Sequence, residues 1–218
     1  MSSTKSVIIS CAGIGSRLGL ATTKALINIE GKSLIRWQLE LFKDVEDVRI
    51  VVGFQANDVI EEVRRYRDDV VFVYNHRYFE TKTGASYYLG ARDGNELAIE
   101  YDGDLLVHPD DIKILLEQEG EWIAYADKMS DDAVYVKTNQ VGDVLAFSRE
   151  QGDYEWTGPC CIKKDKLKYS SGHVFNQLEP YLPMKGIKIR ACDIDTYDDY
   201  QREIKFIHSW DKNSQGEY

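Results

Sequence analysis

The chain reads as an α/β fold: a doubly wound, mostly parallel sheet with a small β region added to it. Strand and helix patterns alternate through the first third, and such alternation pairs successive strands in parallel. A glycine-rich turn follows directly on the first apolar run, as it does where a strand feeds a helix. Between Trp122 and Phe147, short strand-like runs succeed one another across turns with no helical pattern between them. That stretch is the added β region.

Residues 7–10 form an apolar run that predicts the first strand, and residues 11–19 form the glycine-rich turn. Residues 26–29 and the turn at 30–32 lead to a helix capped by Ser33, with Ile35, Leu39 and Phe42 at helical spacing. Residues 48–52 predict a second strand, closed by Gly53. Asp58 and Glu61 have capping-box spacing for the next helix, and Glu61 and Arg65 can pair on its exposed side. Residues 70–73 predict the third strand. From Asn75 to Arg92 a polar loop containing Gly84 passes into a short helical pattern that Ser86 could cap. Residues 97–101 predict the fourth strand. Pro109 opens a helix whose first-turn acids, Asp110 and Asp111, complement the macrodipole. Residues 122–125, 133–136 and 144–147 are strand-like, with a hairpin bend at Gly142-Asp143. Residues 154–159 read as a polar turn ending at Pro159. Residues 187–192 predict one strand, followed by a helix with Thr196 and Asp199 at capping-box positions and Tyr200, Ile204 and Ile207 on its apolar side. Residues 1–209 read as a single domain and 210–218 as a polar, disordered tail.

The 218 residues, 43% of them hydrophobic, suffice for one sizeable core. A formal net charge of −10 with no basic block argues against a nucleic-acid partner. An acidic chain can still hold an anion where its few cations converge. Cys11, Cys160, Cys161 and Cys192 form no C-x-x-C pair, which argues against a zinc site and for a reducing compartment. The apolar run near the start is too short for a signal peptide or a membrane span, so the cytoplasm is the expected location and no membrane partner is expected.

Cys11-Ala12-Gly13-Ile14-Gly15-Ser16-Arg17-Leu18-Gly19, with Lys24 beyond it, carries the clearest chemistry. A glycine-rich turn leaving a strand exposes several backbone N–H groups on one concave side, and such a nest binds phosphate. Gly13 and Gly15 allow a sharp bend and close approach of a ligand. Arg17 offers a planar fork and Lys24 a mobile point charge. The dinucleotide pattern G-x-G-x-x-G fails, since Leu18 stands where its third glycine should. A P-loop fails too, since Lys24 follows Thr23 rather than a glycine. A nucleoside triphosphate cradle fits best. At the end of the fourth strand, Asp102-Gly103-Asp104 is either an Asp-Gly turn or a pair of hard oxygen ligands suited to Mg2+. Asp195 likewise lies at a strand end just before a cap. No Ser-His-Asp set occurs, and His76, His108, His173 and His208 are scattered, as structural histidines would be.

Ala12-Gly13-x-Gly15-Ser16-Arg17-Leu18 followed by Lys24 resembles the opening motif of the sugar-phosphate and alcohol-phosphate nucleotidyltransferases. Those enzymes usually carry a proline before the lysine; here Thr23 takes its place. The resemblance runs from residue 7 to about 207 and implies a Rossmann-like nucleotidyltransferase fold. It implies that Ala12, Gly13, Gly15 and Ser16 wrap the triphosphate while Arg17 and Lys24 act as the catalytic cations. It puts Lys82, Thr83, Gly84 and Ser86 at the base and Asp102 on the nucleotide side. Gly103-Asp104 matches the metal aspartate, and Ile194-Asp195-Thr196 with Asp199 resembles the closing segment that supplies the second ligand, Asp195. Glu155, Trp156 and Gly158 match a segment beside the acceptor, under the added β region, where Glu155 would meet a cationic or hydroxylated group and Trp156 a quaternary amine. The implied cofactor is Mg2+. The implied partners are a nucleoside triphosphate, CTP above all, and a phosphorylated acceptor of the phosphocholine or sugar 1-phosphate kind. Oligomeric state is left open, a homo-oligomer included. The acceptor would attack the α-phosphorus and pyrophosphate would leave, with no nucleophile from the protein. The alternatives are a glycosyltransferase using Asp102-Gly103-Asp104 as its metal motif and a catalytically silent nucleotide sensor.

Overall fold

The computed structural model describes residues 5–15, 22–129 and 133–210. In chain order it contains β1 (Lys5–Cys11), a 3-10 turn at Lys24–Leu26, β2 (Asn28–Ile29), β3 (Lys32–Ser33), α1 (Leu34–Leu41), β4 (Asp47–Val52), α2 (Ala56–Arg64), β5 (Val70–Tyr74) and α3 (Thr83–Ala91). There follow β6 (Leu97–Asp102), β7 (Leu105–Val107), α4 (Pro109–Glu117), β8 (Trp122–Ala126), β9 (Tyr135–Thr138), β10 (Val144–Ser148) and β11 (Tyr154–Lys163). The chain closes with α5 (Val174–Leu178), β12 (Lys185–Lys188), β13 (Ala191–Asp193) and α6 (Tyr197–Trp210).

The fold is the expected α/β class. β1 lies between β4 and β6 and is parallel to both; β5 extends the parallel set beyond β4. The added β region joins the same sheet through β11, which runs antiparallel to β6, β8 and β9, while β9 and β10 form the hairpin bent at Gly142-Asp143. The nine-stranded sheet therefore has a parallel half and a largely antiparallel half.

Strand side chains alternate between faces. Val7, Ile9 and Cys11 of β1 enter the core beneath α1 and α2, and Ile8 enters the core on the other face with Tyr87 of α3. A third cluster packs Ile207 of α6 on Leu34 and Leu106, with Trp37 and Trp210 edge to face at its margin.

Several local expectations are corrected. Ser33 sits at the N-cap of α1, but its hydroxyl donates to Glu62 (2.6 Å) instead of capping. Asp58 and Glu61 make no capping box, because α2 begins two residues before Asp58 after Gln55, a residue with φ of 49°. Ser86 lies inside α3, whose N-cap is Lys82, so it cannot be a cap. Residues 154–159 are not a turn; they belong to β11, which takes a register shift between Trp156 and Cys160. Residues 187–192 are divided between β12, in the main sheet, and β13, which pairs with β7 in a small sheet of its own. Asp111 does more than face a helix dipole: Arg190 donates to it from Nε (2.9 Å), Nη2 (2.8 Å) and its backbone N–H (2.7 Å). The pairing of Glu61 with Arg65 (2.8 Å) and the Thr196/Asp199 capping box are as expected. Helix α6 runs through Trp210, one residue past the expected boundary, and residues 211–218 of the expected tail lie outside the described residues.

Candidate active site

β1 ends at Cys11 and the chain leaves the sheet through Ala12, Gly13, Ile14 and Gly15. Ala12 is fixed by its carbonyl, which accepts from the Phe54 N–H (3.1 Å). Gly15 has φ of 66°, a left-handed value that L side chains rarely adopt. Gly13 has no positive φ, and a Cβ there would project into open space rather than into protein. Ser16 and Arg17 lie outside the described residues. Beyond them, Thr23 is buried with φ of −65°, the angle a proline would impose. Thr23, however, donates its N–H to the Gln55 side chain (2.7 Å), a bond proline could not make. The departure from the usual motif thus keeps the backbone shape before Lys24 and adds a tether to α2.

Lys24 is the meeting point of two distant acids. Its ammonium donates to Asp104 (2.6 Å) and to Asp195, and its side chain is only 11% exposed. Burial pulls the Lys24 pKa down, but Asp104 and Asp195 overcome that and raise it. Two features bring the acids together. First, Gln38 of α1, fully buried, donates to the carbonyls of Asp102 (3.0 Å) and Leu105 (2.8 Å), holding both ends of the turn that carries Asp104. Second, β13 pairs with β7, setting Asp193 opposite Leu105, and the Ile194 N–H then donates to the Asp104 carbonyl (3.1 Å). Asp199 finishes the placement by accepting from the backbone N–H of Asp195 (3.1 Å) and of Thr196 (2.7 Å).

Two cavities meet at these acids. The first, of about 330 Å³, runs from the glycine-rich loop and Lys24 past Asp102 and Asp104 to Asn75, Thr81, Lys82, Thr83 and Ser86. The second, of about 310 Å³, lies under the added β region, between Asp102, Asp104, Asp193 and Asp195 on one side and Arg149, Glu155, Trp156, Gly158 and Phe175 on the other. Thr83, Asp102, Asp104 and His173 line both. Burial, then the charge of Asp104, pushes Asp102 up to about 7. Burial, then Asp104 and Asp195, pushes Asp193 up to about 6. Gly158 has φ of 110°, and a Cβ on it would come within 2.4 Å of an Asp102 carboxylate oxygen. Glu155 is buried and accepts from the Met129 N–H (2.7 Å), and Trp156 stands edge to face with Phe147 at 5.3 Å.

Apart from Ser16 and Arg17, every residue expected at the site from the sequence lines one of the two cavities except Gly84. Gly84 is buried at the start of α3, where its N–H donates to the Gly172 carbonyl (3.1 Å), and it braces the site without facing it. Residues the sequence did not single out include Gln38, Arg149, Asp193 and Glu203. Asn75 is legible in the sequence as the start of the polar loop before Ser86, with no role of its own assigned to it there. Glu203 of α6 is wholly buried, and among the described residues neither carboxylate oxygen has a hydrogen-bond partner; burial holds its pKa well above the usual range. Among the described residues no group of three or more His, Cys, Asp or Glu gathers as a metal cluster, and all four cysteines are free and buried. No helix among the described residues is long and apolar enough to cross a membrane.

Residues 7–160 match the family of MobA-like NTP transferase domains. Among curated proteins, the chain is similar to a 2-C-methyl-D-erythritol 4-phosphate cytidylyltransferase of Endomicrobium trichonymphae, with 26% identity over 131 residues, 58% of this chain. The matches span between 23% and 59% of the length of such curated relatives. Among solved structures, the fold is similar to the inositol-1-phosphate CTP transferase of T. maritima (TM-score 0.82, 18% identity, covering 100% of this chain and 99% of that one). It is also similar to the CTP:phosphocholine cytidylyltransferase of Streptococcus pneumoniae (TM-score 0.74, 19% identity, 94% and 99%).

Proposed function

The chain belongs to the MobA-like NTP transferase domain family, and from there we propose that it transfers CMP from CTP to a phosphorylated small acceptor and releases pyrophosphate. The acceptor is an alcohol phosphate of the phosphocholine kind or a sugar 1-phosphate. The observation that carries this reading is the placement of Lys24, Asp104 and Asp195 where two cavities join. A cation and two acids at a junction suit a reaction between two bound phosphates better than hydrolysis of one. The CTP relatives named above point to cytosine.

In this reading the loop amides from Ala12 to Gly15, with Ser16, Arg17 and Lys24, hold the triphosphate in the first cavity, and Lys82, Thr83 and Ser86 line the base end. The acceptor enters the second cavity, where Glu155 and Trp156 face its organic part beside Gly158. An acceptor phosphate oxygen forms a bond to the α-phosphorus as the bond from that phosphorus to the bridging oxygen of the β-phosphate breaks. Arg17 and Lys24 take up the charge that develops on the departing pyrophosphate. No side chain need become covalently linked; positioning and charge neutralisation suffice.

Asp104 and Asp195 are the residues that would hold Mg2+. Both present hard oxygen donors, and both already converge on one cation, the Lys24 ammonium. Two carboxylates with waters and phosphate oxygens are a donor set that Mg2+ accepts readily. When bound, the ion would neutralise phosphate charge at the junction. The test is a panel of nucleoside triphosphates against choline phosphate, other alcohol phosphates and sugar 1-phosphates, with Mg2+, read as pyrophosphate. CTP with one of these acceptors is expected to give signal; silence across every pairing would overturn the reading.

A further inference from the structure

We propose that Asn75 is a positioning residue for base selection: it fixes Ser86 as a hydrogen-bond donor toward the first cavity and so favours cytosine over uracil. This rests on the reading of that cavity as the nucleotide pocket. It goes beyond that reading by saying which atom discriminates and what sets its polarity.

Asn75 follows β5 and is buried, and both it and Ser86 line the first cavity. The orientation of its amide is settled by its neighbours. The Arg77 backbone N–H, which can only donate, reaches one end at 3.1 Å, so that end is the oxygen. The other end is therefore the NH2 group, and it donates to Thr81 Oγ1 (3.0 Å) and to Ser86 Oγ (3.1 Å).

A hydroxyl that accepts one hydrogen bond still has a proton to place. Thr81 places its own on the Arg77 carbonyl (2.8 Å). Ser86 makes no second hydrogen bond among the described residues, so its proton is left for the cavity. Cytosine and uracil share one outline and differ at ring positions 3 and 4; Ser86 is assigned to position 3, where cytosine has a bare nitrogen that accepts and uracil an N–H that donates. A fixed O–H donor matches the first and confronts the second donor to donor. A buried polar site rejects a mismatched ligand more strongly than it rewards a matched one.

Asn75→Asp turns this logic round. The carboxylate still accepts from Arg77, but toward Ser86 it can only accept. Ser86 must then give its proton to residue 75 and show a lone pair to the cavity, which suits the uracil N–H. The experiment measures kcat/KM by pyrophosphate release, and equilibrium binding, for CTP and UTP. It compares the full-length wild-type chain with Asn75→Asp, Asn75→Ala and Ser86→Ala. The wild type is expected to favour CTP. Asn75→Asp should lower the CTP:UTP ratio by roughly ten- to a hundred-fold, with loss on CTP and gain on UTP. Asn75→Ala and Ser86→Ala should bring the ratio toward one without favouring UTP. A merely structural asparagine would weaken both nucleotides alike. An unchanged ratio in a folded Asn75→Asp, or in the other two variants if Asn75→Asp does not fold, overturns the proposal, as does a wild type indifferent to the two. If the wild type releases no pyrophosphate with any nucleotide, the proposed reaction fails, and the binding ratios alone decide the role of Asn75.

Discussion

The two cavities share a wall but are built in opposite ways. The first is made mainly of short runs, the loop after β1, the Lys24 turn and the segment from Asn75 to Ser86, closed by Asp102–Asp104 and His173. Its lining combines glycines, small hydroxyls and two lysines with Tyr78, Phe79 and the two aspartates it shares with the second cavity. The second draws on the approach to β9, on β11, on the start of α5 and on β13, with Trp156, Phe175, Arg149, Glu155 and four aspartates in its lining. A lining of amides and lysines suits phosphate, the invariant part of every nucleoside triphosphate. A lining of mixed charges and rings suits an organic group that changes from one acceptor to another. In the proposed reaction this difference separates the holding of the nucleotide from the choice of acceptor, and it can be broken experimentally.

The largest effect is expected at Lys24. Lys24→Ala removes the cation between Asp104 and Asp195 and should cost about two to three decades in kcat. Pyrophosphate release checks it; a shift confined to acceptor KM would break the comparison. Gly158→Ala attacks the shared wall. Its positive φ costs about 1–3 kcal/mol, and its new methyl group meets Asp102. Thermal melting should fall by several degrees. Glu155→Gln sharpens the comparison from the other side: acceptor KM should rise roughly ten-fold while CTP KM stays put. The last effect falls on stability rather than on turnover and lies behind the wall, at Glu203. Its folded pKa is raised, so the buried side chain stays protonated while the unfolded chain ionises. Stability is therefore fully present below the unfolded value of about 4.3 and falls as pH rises above it, at up to about 1.4 kcal/mol per pH unit. Glu203→Gln should melt higher than wild type at pH 8, with the gap closing near pH 4. Equal melting of the two at pH 8 would show that this carboxyl is not held neutral.

The same contrast decides what could be read from residues alone. The parallel half was legible because buried strands and amphipathic helices alternate on regular periods, and because the loop chemistry falls within one short run. The second cavity was not. Arg149 looks like any exposed cation until the fold sets it over the Phe175 ring of α5. Residues 154–159, with a glycine and a proline, carry turn signals, yet pairing with β8 and β9 makes them strand. Residues 187–192 read as a single strand because nothing local marks the bend between β12 and β13. Gln38 was hidden for another reason: it sits on a helix face between apolar residues, and only the fold shows which carbonyls it reaches.

The pairing of β13 with β7 also sets an order of events during synthesis. On the ribosome the nascent chain exposes Lys24 and Asp104 long before Asp195 has been translated, and the first acid must then face the ammonium alone. The second acid arrives only when the final strand docks. In the proposed reaction, then, competence waits until residue 195 has been made and docked, and a chain stopped short of it cannot spend nucleotide.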